Sequence, residues 1–200
     1  MAKPVTSFIC QECGATHQKW AGRCDACGAW NTIVEEAPLS QGPGRGLGAA
    51  KGKTVPLSAL STHEPPPPRA ESGMTEFDRV LGGGLVPGSA ILVGGDPGIG
   101  KSTLLLQAAA AFATRGQSAI YISGEEASAQ VRMRAQRLGL AEAPVRLGAE
   151  TALRDILTTL DTERPDLAII DSIQTLWSDT VDAAPGSVSQ VRASAHELVT

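Results

Sequence analysis

Gly95-Asp96-Pro97-Gly98-Ile99-Gly100-Lys101-Ser102-Thr103 fits the phosphate-loop pattern G-x-x-x-x-G-K-[ST] at each required position. The glycines let the backbone turn its N–H groups inward around a phosphate. Lys101 then supplies positive charge to the β and γ oxygens, and the Ser102 hydroxyl is suited to ligate Mg²⁺. The flanks agree with this. Upstream, Ser89 to Gly94 is a short apolar run that predicts a buried parallel strand, and downstream Lys101 to Arg115 is rich in Leu and Ala and stops before Gly116, which predicts a helix. A strand, a glycine-rich turn and a helix N-terminus in this order form an anion site, because the helix dipole and its unpaired N–H groups both face the phosphate. The residues from Gly95 to Thr103 are therefore the candidate nucleotide-binding set.

Three further strands are expected in the same α/β unit. Ser118 to Ser123 reads as a strand ending at Gly124-Glu125-Glu126. In phosphate-loop folds the site lies beyond the carboxyl ends of the strands, so Glu125 is the candidate general base. The alternative is that both glutamates simply open the next helix, where acidic side chains complement the dipole. That helix runs from Ala127 to Leu138, and its Arg132, Arg134 and Arg137 are expected to form a solvated basic face. A strand over Pro144 to Leu147 and a helix opening at Thr151 lead to Asp166-Leu167-Ala168-Ile169-Ile170-Asp171. Four apolar residues ending in aspartate make a Walker B strand, with Asp171 placed to hold the water shell of the same Mg²⁺. Ser172 and Gln174 follow, either to sense the γ-phosphate or to cap the turn.

The amino-terminal part has a different chemistry. Cys10-x₂-Cys13 and Cys24-x₂-Cys27 form two knuckles ten residues apart, and four thiolates at that spacing close a tetrahedral site. Zinc is the expected occupant and iron the alternative, with two disulfides disfavoured in a reducing compartment. Gly14 and Gly28 follow the knuckles and free the backbone to aim N–H groups at the sulfurs. His17 is not needed as a ligand. So short a module has little core of its own, so Phe8, Trp20 and Trp30 are expected to pack inside it rather than form a base-stacking platform.

The 200 residues, 42% hydrophobic and 19% charged, suffice for one sizeable core and a small accessory module. Residues 36–72 hold seven Pro and five Gly and read as a linker between a cysteine module at 1–35 and an ATP-binding domain at 73–200. Residues 73–200 carry ten Lys/Arg and fifteen Asp/Glu, so no basic nucleic-acid stripe is visible. No apolar stretch reaches the roughly 18 residues of a membrane span. The start Met1-Ala2-Lys3-Pro4-Val5-Thr6 lacks a secretory core, which predicts a cytoplasmic protein with no membrane partner.

Phe8-x-Cys10-x₂-Cys13-Gly14, Trp20-x-Gly22-x-Cys24-x₂-Cys27-Gly28-x-Trp30-Asn31 and Leu81-Gly82-Gly83-Gly84-Leu85-Val86-Pro87-Gly88-Ser89 before the phosphate loop together resemble the RadA (Sms) family of bacterial DNA-repair proteins. The resemblance covers nearly the whole chain. It implies a RecA-like ATPase core behind a Cys₄ zinc module, with ATP, Mg²⁺ and Zn²⁺ as cofactors. In that family's terms Lys101 and Ser102 contact nucleotide and Mg²⁺, Glu125 is the catalytic glutamate, and Asp171 is the Walker B aspartate. It further implies a DNA-dependent ATPase that drives branch migration as a hexameric ring, with single-stranded DNA, branched recombination intermediates and the RecA recombinase as partners. Family members continue past the Walker B strand to a Lys-Asn-Arg-Phe-Gly motif and a Lon-like domain, and neither precedes Thr200, so the chain is expected to be an amino-terminal portion. Two other readings stay open: a KaiC-type ATPase or phosphotransferase, whose Glu-Glu pair Glu125-Glu126 resembles, and a non-catalytic nucleotide-binding module that docks through its knuckles.

Overall fold

The computed structural model describes residues 7–10, 12–36, 57, 59 and 68–200. Most of the expected linker lies outside these residues.

The cysteine unit is a small antiparallel sheet of β1 (Ser7–Cys10), β2 (Thr16–His17) and β3 (Ile33–Glu36), in the order β2-β1-β3. Its core is Cys10, Cys24 and Ile33, with Phe8, Ala15 and Ala21 packed against it. Phe8 is therefore internal as expected. The two tryptophans are not: Trp20 and Trp30 are 60% and 70% exposed. The reason is volume. The sulfurs occupy the centre of a sheet with only two- and four-residue strands, which leaves no interior for two indoles. Trp30 instead carries the Arg23 guanidinium 5.7 Å from its ring centroid.

The α/β unit contains α1 (Thr75–Val80), α2 (Lys101–Thr114), β4 (Ala119–Ser123), α3 (Ser128–Arg137), β5 (Arg146–Ala149), α4 (Leu153–Glu163), β6 (Leu167–Asp171) and α5 (Val188–Val199). Among the described residues, contacts that belong to this unit begin at Arg69, inside the segment expected as linker, where the guanidinium donates to the Leu81 and Gly84 carbonyls. Ala70 and Leu85 exchange two backbone hydrogen bonds of 2.8 Å, and Ser72 donates to Asp78. The third strand runs two residues later than Pro144–Leu147, because the Leu140–Val145 turn uses up the first of those residues.

The sheet is parallel, in the order β5-β4-β6, with Tyr121 opposite Ile169 and Ser123 opposite Asp171. Alternation along β4 divides the core between its two faces. Tyr121 joins Leu106 and Ala109 of α2, Val131 and Ala135 of α3, and Ile169 of β6. Ile120 and Ile122 face the other way, onto Leu153 and Ile156 of α4 and Leu176. Asp166 ties the two strand starts together by accepting from both the Ser118 N–H and its hydroxyl at 2.8 Å.

The strand expected at Ser89 to Gly94 is absent. These residues join no ladder among the described residues, and Ile91 and Leu92 are 45% and 86% exposed. An apolar run signals suitability for burial, but a parallel strand also needs a hydrogen-bonding neighbour, and no described strand lies beside this run. Its stability consequence is direct. Ile156→Ala, at 1% exposure, should cost about 2–5 kcal/mol by transfer loss and cavity, while Leu92→Ala should stay within about 0.5 kcal/mol. Urea titrations of both variants check the pair, and equal losses would contradict the placement of Leu92.

Candidate functional site

Two constellations are assembled, one in each unit. In the cysteine unit the Sγ atoms of Cys10, Cys13, Cys24 and Cys27 all lie within 4.8 Å of one another. The Cys10–Cys27 and Cys13–Cys24 separations are 3.7 Å. A tetrahedron with Zn–S bonds of about 2.3 Å has edges of about 3.8 Å, so these two separations and the closeness of all four sulfurs are consistent with zinc.

The knuckles are built alike. Cys10 N–H bonds to Ala15 O at 3.0 Å and Gly14 N–H to Cys10 O at 2.9 Å; Cys24 N–H bonds to Ala29 O and Gly28 N–H to Cys24 O, both at 2.8 Å. Gly14 and Gly28 complete the turns at φ 72° and 76°, where a β-carbon is strained. Around the sulfurs stand donors that stabilise thiolate charge. The Cys27 amide, assisted by the Ala26 amide and His17, outweighs desolvation and brings Cys24 down to about 6. The Thr32 hydroxyl at 3.3 Å is the main cause lowering Cys10. At Cys27 the Ala29 amide pulls down, but desolvation and the three neighbouring sulfurs together hold it up at about 12. His17 stands outside the group of four sulfurs, with its Nε2 3.4 Å from Cys24 Sγ, a position that suits an outer partner steadying that sulfur.

In the α/β unit, Gly95 to Gly100 form an exposed turn that enters α2 through Gly100 at φ 105°, the left-handed region that favours glycine. A β-carbon at Gly98 or Gly100 would meet nothing within 4 Å, so the space they front is open. Asp96 accepts from the Ile99 N–H across the Asp96-Pro97-Gly98-Ile99 turn at 3.4 Å. Lys101 Nζ donates to the Gly95 and Asp96 carbonyls at 2.7 and 2.9 Å, which holds the ammonium over the loop. Ser102 and Thr103 are half-buried in the first turn of α2. Leu106, one turn further on, packs with Tyr121 and Ile169, each two residues short of its strand tip.

The tips of β4 and β6 are joined. Gly124 N–H bonds to Asp171 O at 2.9 Å, and Ser172 Oγ donates to Glu125 Oε1 at 2.6 Å. Glycine is required at 124 because a β-carbon there would lie 2.0 Å from Thr175 Oγ1, whose hydroxyl donates to Ser172 O. Glu126 is turned to other work: its N–H bonds to Ser123 Oγ and its carboxylate pairs with Arg134. Arg134 was expected on a solvated face, yet its side chain is only 17% exposed and its Nη1 is buried without a partner. A sequence shows the charges eight residues apart but not that a strand tip and a helix bring them together.

The structure adds Tyr121, which sequence reasoning missed. Its hydroxyl donates to Asp171 Oδ2. Burial first, and then this bond, raise the phenol above its ordinary value, so it stays a donor. Its signal was its position two residues before Ser123, on the face shared with Asp171. Among the described residues no hydrogen bond links the loop, Ser102 or Thr103 to Asp171 or Glu125.

Residues 70–174 match the family model described as ATPase, KaiC, and residues 8–35 match that of the rubredoxin metal binding domain. Along its whole length the chain is 56% identical to DNA repair protein RadA of Brucella abortus, 49% to that of Pseudomonas aeruginosa and 44% to that of Bacillus subtilis. In each case it spans 44% of the relative's length. The flagellar accessory protein FlaH of Methanocaldococcus jannaschii superposes at a TM-score of 0.49 and 20% identity, covering 66% of this chain and 65% of that one. No helix among the described residues is long and apolar enough to cross a membrane.

Metal analysis should find one zinc per chain, lost in Cys27→Ser, since three thiolates leave the tetrahedral shell open. His17→Ala should keep the stoichiometry and release zinc to a chelator about 10–100-fold more readily. Unchanged zinc in Cys27→Ser would refute the assignment of the four ligands.

Proposed function

Because this chain belongs to the KaiC ATPase family and matches the amino-terminal portion of DNA repair protein RadA, we propose that it is the zinc-module and ATP-binding part of a DNA-dependent ATPase of recombinational repair. One observation carries the catalytic reading. Of the two glutamates after β4, Glu126 is engaged by Arg134, while among the described residues the one bond to the Glu125 carboxylate comes from the hydroxyl of Ser172, the residue next to Asp171. A carboxylate held by a single hydroxyl beside the Walker B aspartate suits a base that orients water for attack on a γ-phosphate.

The remaining roles follow from donor chemistry. The turn Gly95, Asp96, Pro97, Gly98, Ile99 and Gly100 presents backbone N–H groups, and Lys101 exchanges its carbonyl contacts for phosphate oxygens. Ser102 and Asp171 are a hydroxyl and a carboxylate, the hard oxygen donors that suit Mg²⁺, with Thr103 beside them in the first helical turn. Bound Mg²⁺ supplies charge neutralisation to the phosphates. Single-stranded and branched DNA, the RecA recombinase, a hexameric ring and branch migration are proposed for the longer protein on the likeness to RadA. The KaiC match stops short of the cysteines, whereas the RadA likeness spans both units, which favours repair over phosphotransfer.

ATP turnover with and without single-stranded DNA, on this chain and on a protein of the relatives' full length, tests the reading. Lys101→Ala should abolish turnover with the fold intact. Glu125→Gln should keep nucleotide binding and slow hydrolysis about 100-fold or more. Glu126→Gln should instead cost about 1–3 kcal/mol of stability, because it replaces the carboxylate that balances the largely buried Arg134 guanidinium with a neutral amide. If Glu126→Gln trapped bound ATP and Glu125→Gln did not, the assignment of the base would be wrong.

A further inference from the structure

Tyr121 is the chain's single tyrosine and is wholly buried at the centre of the sheet among Leu106, Ala109, Val131, Ala135 and Ile169. A phenylalanine would fill that apolar site without the cost of burying a hydroxyl, which is about 1–3 kcal/mol when the group is left unpaired. Among the described residues the hydroxyl has one partner, Asp171 Oδ2, and it is the only side-chain donor to that carboxylate. The backbone explains the aim. Tyr121 stands opposite Ile169 and Asp171 follows two residues on, so phenol and carboxylate project from the same face of neighbouring strands, on the side that α2 covers.

We propose that Tyr121 is a positioning residue for the nucleotide site: its hydroxyl holds one oxygen of Asp171 from inside the core and leaves the other free for the water shell of Mg²⁺. This rests on the reading of Asp171 given above. The two acidic groups of the site are then fixed by separate hydroxyls, Asp171 by Tyr121 from within the face that α2 covers and Glu125 by Ser172 from the strand tip. A ligand group oriented by an outer partner typically loses 10–100-fold in metal affinity when that partner is removed.

The test is binding of a fluorescent ATP analogue to this chain, titrated with Mg²⁺ and repeated in EDTA. Tyr121→Phe keeps the ring and removes only the hydroxyl. It should raise the Mg²⁺ concentration for half-saturation about tenfold, while binding in EDTA stays within about twofold of the parent. Asp171→Asn marks whether the carboxylate matters at all, and Val131→Ala perturbs packing in the same cluster without touching the hydroxyl. If Asp171→Asn leaves the Mg²⁺ dependence unchanged, the reading of Asp171 fails and the proposal with it. If Asp171→Asn shifts it and Tyr121→Phe does not, the proposal alone is overturned. A shift in Val131→Ala as large as that in Tyr121→Phe would assign the effect to packing and overturn it equally.

Discussion

The geometry of the proposed nucleotide site hangs on the parallel register of β4 against β6. With Ser123 opposite Asp171, the two strands end at the same level, and the Gly124 N–H closes the last bond of the ladder onto Asp171 O. Side chains alternate with a period of two, so a slip of one residue would turn Tyr121 and Asp171 to opposite faces and remove their contact. It would also carry Glu125 away from Ser172. The apolar clusters on the two faces of the sheet enforce the register, because each fits only one phase of the alternation.

How far the sequence reveals this depends on the range of the interaction. The phosphate loop and the knuckles are legible because their chemistry is local: glycines, a lysine and cysteines at fixed spacing need only their neighbours in the chain. Strands β4 and β6 are legible for the same reason, as apolar runs ending in charged residues. What escapes is pairing at a distance. Tyr121 and Asp171 are 50 residues apart, and Glu125 and Ser172 are 47. Neither pair has a local signature, and Arg134 looks like a surface arginine until the helix is docked.

Two of the misreadings share one cause. Ile91 and Leu92 were expected inside because they are apolar, and Trp20 and Trp30 likewise. Hydrophobicity gives a residue's tendency, while burial needs partners around it. The sheet offers no neighbour to the first pair, and the sulfurs fill the room that the second would need.

The duplicated knuckle has a consequence for how the cysteine unit assembles. Each turn is closed by two backbone bonds spanning six residues or fewer, Cys10 to Ala15 and Cys24 to Ala29, so its loop-closure entropy is small. What remains is to bring together two bidentate claws separated by the ten residues from Gly14 to Arg23. A metal ion caught by one claw meets the second at the high effective concentration set by that short tether, so the second capture is an intramolecular step. The short tether thus spares the centre most of the entropy of joining two distant pairs of ligands.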